Sequence, residues 1–402
     1  MKNRVVITGI GVISSIGIGK DAFWDSLLKG KSGISPVSSF DTSEHFTHMG
    51  GEVKQFNPEE FVSVERLKFM NRATQMALAA TKLAIEDTVL TSRELDGLRA
   101  GVSHGTTLGT ITTIEKINNQ ILANKAPGRE LFYQMPTHAA SSMISKEFRF
   151  SGPNLMFSTA CAAGNYAIAY GYDMLRLKRA DIVFAGASDP MSRLEYTGFN
   201  QFKAVAPEKC QPFDKNRNGM MLAEGAGILV LEPLENALKR DARIYAEIIG
   251  YGLSCDASHM TTPSVAGIAD CMKKALREAD ITAEDVDYIS AHGTGTVAND
   301  KNESAAIKEV FGPLYKKIPV SSIKSMLGHT MGAASALEAI TCALAVKNDL
   351  IPPTINFVTS DPECDIDCVP NQSRKKTVNI ALNNSYAFGG NNASVVLKKF
   401  IK

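Results

Sequence analysis

The sequence predicts an α/β fold whose plan is used twice. Short apolar runs alternate with amphipathic stretches along the whole chain, the pattern of strands interleaved with helices. A strand followed by glycines at RVVITGIGVIS, residues 4–14, returns as RIYAEIIGYGLS at Arg243–Ser254. No low-complexity stretch or long polar linker separates the copies. The halves, 1–242 and 243–402, are therefore expected to pack against each other.

The elements are expected in this order. In the first half, strands are predicted at Arg4–Gly9, Ala100–Ser103, Ile182–Ala185 and Gly227–Leu231, each apolar and rich in β-branched residues. In the second they are predicted at Ala246–Gly250, Tyr288–Ala291, Val320–Ser322 and Ala393–Lys398. Met70–Asp87 reads as a helix because Ala73, Met76, Ala77, Ala80, Leu83 and Ala84 recur at helical spacing. Further helices are predicted at Ala162–Lys178, Ile268–Ala279, Glu303–Phe311 and Gly332–Val346. Pro352 and Pro353 mark a stiff connection before the C-terminal strands.

Composition narrows the function. The 43 Lys+Arg balance 42 Asp+Glu, which gives no reason to expect nucleic acid or an anionic membrane as the main partner. Seven scattered cysteines, an odd number, do not make a disulfide scaffold and point to a reducing cytoplasm. Cys364 and Cys368 have no second pair or His cluster at zinc spacing and read as packing thiols. The apolar N-terminus is broken by Gly9, Gly11, Gly17 and Gly19 and reads as a first strand rather than a signal peptide. Gly9-Ile10-Gly11 lacks the third glycine of a dinucleotide fingerprint.

Four segments could carry chemistry. In STACAAGNYAIAYG, Ser158–Gly171, Cys161 lies where a strand gives way to a small-residue helix. Unpaired N–H groups and the dipole at that end favour a thiolate, although a cysteine among alanines is also ordinary core filler. In SAHGTGTVANDKNE, Ser290–Glu303, His292 ends an apolar strand and enters a Gly- and Thr-rich turn. Polar residues at strand ends are where α/β proteins place active sites, and a capping histidine would look the same. In SSIKSMLGHTMGAASALE, Ser321–Glu338, Lys324 and His329 share a glycine-punctuated loop. In LNNSYAFGGNNASVVL, Leu382–Leu397, Phe388-Gly389-Gly390 is either a plain hairpin turn or a place where backbone approaches a ligand. Together they set one thiol, two histidines and a lysine at strand-end loops. His45, His48, His104, His138 and His259 have no such setting.

These segments resemble the β-ketoacyl-acyl carrier protein synthases of the thiolase superfamily over essentially the whole chain. TACAAG is similar to that family's nucleophile motif, AHGTGT to its first-histidine motif, KSMLGH to its Lys and second-histidine motif, and AFGG to its gate loop. The resemblance implies a thiolase-like fold, with two βαβαβαββ halves forming a five-layered α-β-α-β-α core. It implies catalytic roles for Cys161, His292, His329 and Lys324. Supporting roles fall on Glu303, Thr294, Thr296, Gly389, Gly390 and Phe388, the last as gate and oxyanion-hole donor beside the Cys161 N–H. Leu108, Ile111, Phe199 and Phe202 would form the substrate pocket. Arg66, Lys68, Arg72 and Lys203 would dock an acidic acyl carrier protein.

The implied reaction loads an acyl chain on Cys161 and extends it from a decarboxylating malonyl thioester, with no metal or organic cofactor. LAEGAG at Leu222–Gly227, Asn299-Asp300, SSIKSM and TSDPECDID at Thr359–Asp367 look closer to the ketosynthase alpha subunit of type II polyketide synthases. That subunit pairs with a chain-length-factor paralogue, whereas the elongating synthase of bacterial fatty acid synthesis is a homodimer. Tyr386-Ala387, Asn391 and the Ala162-Ala163 pair depart from the commoner family residues. A thiolase would place a second catalytic Cys where AFGG stands. A non-catalytic partner subunit would lack Cys161.

Overall fold

Ten strands, with the two-residue strand Gly17–Ile18 beside the first of them, form one mixed sheet in the computed structural model, which describes residues 3–402. The first five are β1 (Val5–Ser14), β2 (Ala100–Gly105), β3 (Asn154–Phe157), β4 (Ile182–Asp189) and β5 (Gly225–Pro233). The second five are β6 (Ala246–Cys255), β7 (Tyr288–Ser290), β8 (Val320–Ser321), β9 (Ile380–Tyr386) and β10 (Asn391–Lys398). Across the sheet they run β8-β7-β9-β10-β6-β1-β5-β4-β2-β3, so each half has its strands in the order third, second, fourth, fifth, first. The pairings repeat as well. Third–second and second–fourth are parallel, while fourth–fifth and fifth–first are antiparallel. The halves join where Val5–Ile7 pairs antiparallel with Ala246–Ile248.

The repeated glycines do not make turns after the first strands, as the sequence suggests. Both β1 and β6 continue through them, each with a register shift just before, at Ile7/Gly9 and at Ile248/Gly250. Their purpose is close packing. A Cβ on Gly11 would come 1.8 Å from the Ala80 carbonyl oxygen of α1 (Arg72–Thr88), and one on Gly252 would come 2.1 Å from that of Cys271. Cys271 belongs to α6 (Val265–Ala279), so the same device seats one outer helix on each half.

The other helices are α2 (Ile111–Leu122), α3 (Ala139–Phe148), α4 (Ala163–Arg176), α5 (Arg193–Gln201), α7 (Val297–Phe311) and α8 (Gly332–Asn348). Helices α4 and α8 pack on each other and on strands of the sheet; α1 and α3 flank one half, and α6 and α7 the other. This is the layered α-β-α-β-α arrangement of a thiolase-like fold. Every residue from Gly332 to Val346 is buried, as befits a helix covered on all sides. Among the described residues no helix is long and apolar enough to cross a membrane.

Among helices of nine or more residues, four escape the sequence reading: Lys20–Leu28, α2, α3 and α5. Helix α7 starts at Val297, six residues before its predicted beginning. Helix α4 starts one residue after its predicted beginning, because Ala160–Ala162 forms a separate 3₁₀ turn.

Candidate active site

Both halves bring loops to the same place. In the first, the chain leaves β3 and enters the 3₁₀ turn through Ala160, held left-handed at φ 47°. A non-glycine residue there is strained and persists only where its surroundings impose it. They do so through Cys161, whose carbonyl oxygen accepts hydrogen bonds from Ser335 Oγ at 3.0 Å and Ser385 Oγ at 2.9 Å. In the second half Met331, at φ 50°, plays the corresponding part before α8.

Cys161 Sγ and one ring nitrogen each of His292 and His329 lie within 4.8 Å of one another, all three residues buried. Two nitrogens and a thiol at that spacing form the one such metal-capable cluster found among the described residues. They line a cavity of about 350 Å³ together with Thr294, Thr296 and Phe388. The imidazole rings are 5.5 Å apart and nearly perpendicular.

The hydrogen bonds behind the rings fix their tautomers. Met331 N–H donates to His329 Nδ1 at 3.1 Å. Lys324 Nζ stands 3.4 Å from His292 Nδ1 and donates to the His292 carbonyl oxygen at 2.6 Å. With Nδ1 facing a donor in each ring, the proton sits on Nε2. Burial, and then the Lys324 charge, hold both imidazoles well below the ordinary histidine value, so both are neutral donors.

The second-half loop is pinned by a buried carboxylate. Glu303 accepts from the backbone N–H groups of His292 and Gly293, each at 2.8 Å. Burial lifts its carboxyl to about 7 against those bonds. Thr294 and Thr296 hydroxyls are 2.9 Å apart at the cavity wall.

The thiol departs from expectation. Burial pushes Cys161 up to about 12, while the Lys324 charge pulls the other way. Loss of water is the largest influence on it and favours the thiol.

At the mouth, the Phe388 ring lies 5.7 Å from Phe199 and 6.3 Å from Phe202. Gly389 and Gly390 take φ of 81° and 78°, and the turn Phe388–Gly390 joins β9 to its antiparallel partner β10. AFGG is thus a hairpin turn, and its Ala387 and Phe388 line the cavity. Leu108 and Ile111 do not line this cavity: Leu108 is exposed and Ile111 is buried at the start of α2.

The four cations predicted for docking divide. Lys68 is exposed, and Lys203 is exposed at the cavity rim. Arg66 is exposed but pairs with Glu147. Arg72 is already committed, to Glu224 at 2.7 Å and to the Val53 carbonyl at 3.0 Å, which corrects its assignment as a free docking charge.

Sequence reasoning missed Glu338, the ion-pair partner of Lys324. The signal was present, because a lone carboxylate inside an otherwise small and apolar helix needs a buried partner. Lys324 and Glu338 are 1% and 0% exposed. Lys324→Met is therefore expected to cost about 3–5 kcal/mol in denaturant unfolding at pH 8, since it orphans a buried carboxylate. The cost should shrink toward pH 6, because burial raises Glu338 to about 7 and it can take a proton. A loss under about 1 kcal/mol at pH 8 would refute this account.

Comparison with known proteins agrees with this geometry. The family model "Beta-ketoacyl synthase, N-terminal domain" matches residues 2–237, and "Beta-ketoacyl synthase, C-terminal domain" matches 245–358. The chain is 41% identical over 410 residues to 3-oxoacyl-[acyl-carrier-protein] synthase 2 of Coxiella burnetii, covering 99% of both. It superposes on a structure of the ishigamide ketosynthase/chain length factor with TM-score 0.97 at 44% identity, covering 100% of each chain. It also superposes, with TM-score 0.91 at 33% identity and 100% coverage of both, on a type II polyketide synthase acyl-carrier protein in complex with its ketosynthase. With both halves matched and the thiol and two imidazoles converging in one cavity, the chain belongs to the β-ketoacyl synthase family.

Proposed function

We propose that this chain joins an acyl group carried on Cys161 to the two-carbon unit of a malonyl carrier thioester. The observation that carries the reading is the convergence of Cys161, His292 and His329 within 4.8 Å in one buried cavity. In the first step Cys161 sulfur attacks the acyl thioester, and its proton leaves with the carrier's thiol. The Cys161 and Phe388 N–H groups serve the tetrahedral oxyanion. The malonyl carboxylate then departs as CO₂, and its electron pair becomes an enolate whose oxygen faces the Nε2–H groups of His292 and His329. The enolate carbon attacks the acyl carbonyl and expels the Cys161 thiolate, which takes a proton from water. Lys324 holds the histidines in place through charge and hydrogen bonds. Phe388, with Phe199 and Phe202, gates the entrance. Lys68, Lys203 and Arg66 meet the acidic carrier.

The two repeats divide at 242/243 in this reading, and the enzyme works in the cytoplasm as the ketosynthase of a type II polyketide synthase beside a chain-length-factor paralogue. The likeness to the ishigamide ketosynthase/chain length factor at 44% identity favours it. The likeness at 41% to 3-oxoacyl-[acyl-carrier-protein] synthase 2 supports the second reading, a homodimer elongating saturated chains. Expressing the chain alone and with the neighbouring ketosynthase-like gene product, then measuring solution mass and product, separates them. The polyketide reading expects a mixed dimer and a poly-β-keto or polyene product only with the partner. A stable homodimer that elongates saturated chains unaided would overturn it.

A further inference from the structure

A second buried carboxyl group lies beside the nucleophile and has no part in the steps above. Glu195, on α5, is 7% exposed, and its Oε1 has no hydrogen-bond partner. It is near enough to Cys161 that a charge on Glu195 would raise the thiol. Burial, Asp189 and Glu115 all act to keep it protonated.

It stands one helical turn before Phe199, on the same face of α5. Glu195 is absent from the lining of the cavity that holds the imidazoles and Phe388. The Leu194 N–H, next to it, donates to Glu115 Oε1 at 2.6 Å on α2. Asp189, just before α5, accepts from the N–H groups of Thr107 and Leu108 at 2.8 and 3.0 Å. Glu195 therefore lies near Cys161 on a helix held to α2 and the 107–108 backbone, one turn before Phe199 of the mouth and outside the cavity lining.

We propose that an acyl chain on Cys161 reaches Glu195, a specificity-determining residue that selects acyl chains bearing a hydroxyl or keto oxygen over plain saturated chains. A protonated carboxyl both donates and accepts, so a chain oxygen gives the unpaired Oε1 a partner. A hydrocarbon chain leaves it buried and unsatisfied, a difference that sites of this kind turn into strong discrimination. The proposal rests on the acyl-loading reading above.

The test is acyl loading alone, without condensation. Carrier thioesters of octanoate and of its 3-, 5- and 7-hydroxy derivatives compete for Cys161, and bound mass is read by mass spectrometry. The wild-type protein should load at least one hydroxy chain about tenfold or more in preference to octanoate. Glu195→Leu should bring that ratio to within about twofold of unity by improving octanoate loading, and Glu195→Gln, which keeps a donor and an acceptor, should retain most of it. Equal loading of all four chains by the wild type overturns the proposal and leaves the condensing function standing, and so does an unchanged ratio in a folded Glu195→Leu protein. Loss of the ratio in Glu195→Gln overturns it too, because it shows that ionisation and not hydrogen bonding selects the chain. Failure of the wild type to load any chain overturns both readings.

Discussion

Cys161→Ala is expected to lose acyl loading altogether and to lower condensation by a factor on the order of 10⁶, the scale on which a covalent nucleophile is missed. The fold should survive, because the backbone at 161 is held through its carbonyl by Ser335 and Ser385 and not through Sγ. Incubation with an acyl carrier thioester followed by peptide mapping reads the outcome. Mapping is essential because Cys255 is exposed, and its thiol lies 3.7 Å from the Gly389 carbonyl oxygen at the hairpin turn. An acyl group found on Cys255, or undiminished condensation by Cys161→Ala, would sink the assignment. A second reading comes from pH. The Cys161 thiol is raised by burial, so its alkylation by iodoacetamide should climb with every step from pH 6 to 9. A plateau below pH 7 would instead show that the helix end stabilises the thiolate.

The parts of this site that the sequence made legible are those with a local pattern. Cys161, His292, Lys324 and His329 stand on three segments where an apolar strand gives way to small residues, and the three meet in the structure. The doubled plan was legible because strand period and glycines recur together. What the glycines do was not, since their contact with Ala80 and Cys271 is made across layers and far along the chain. Helices α2, α3 and α5 were missed because each is short, partly polar and entered from an irregular loop. The burial that raises the Cys161 thiol was not legible for a related reason. A helix N-terminus can be read from neighbours in sequence, whereas burial depends on α8 and β9 closing over it. Arg72 looked like a surface charge until Glu224, 152 positions away, was found to hold it. Glu195 carries no local signal at all, for only the packed structure shows a carboxyl left without a partner.

His292→Ala and His329→Ala are each expected to keep acyl loading on Cys161 and to lose decarboxylation of the malonyl thioester by about 10²–10³, the effect of removing one preorganised donor from a developing oxyanion. The two steps separate because loading needs the sulfur and its oxyanion donors, whereas the enolate needs both Nε2–H groups. Both rings are buried at the cavity wall, and their Nδ1 sides face Lys324 and the Met331 N–H, which leaves Nε2 to face the cavity. The pH dependence follows from the direction of the shifts. Both rings already stand well below the ordinary histidine value, so raising the pH from 6 to 8 removes no proton from them and they add no fall in decarboxylation across that range; any change there comes from Glu303 and Glu338, which burial lifts to about 7. An active imidazolium would give the opposite sign, with a rate falling as the pH rises through its pKa. Release of labelled CO₂ from malonyl carrier thioester, measured beside acyl loading of the same samples, decides it. Unimpaired CO₂ release in both variants, or loss of loading equal to the loss of decarboxylation, would remove the histidines from the enolate step. Lys324→Met should weaken CO₂ release more than loading, because it frees His292 Nδ1 to carry the proton and turns the proton-bearing face away from the enolate.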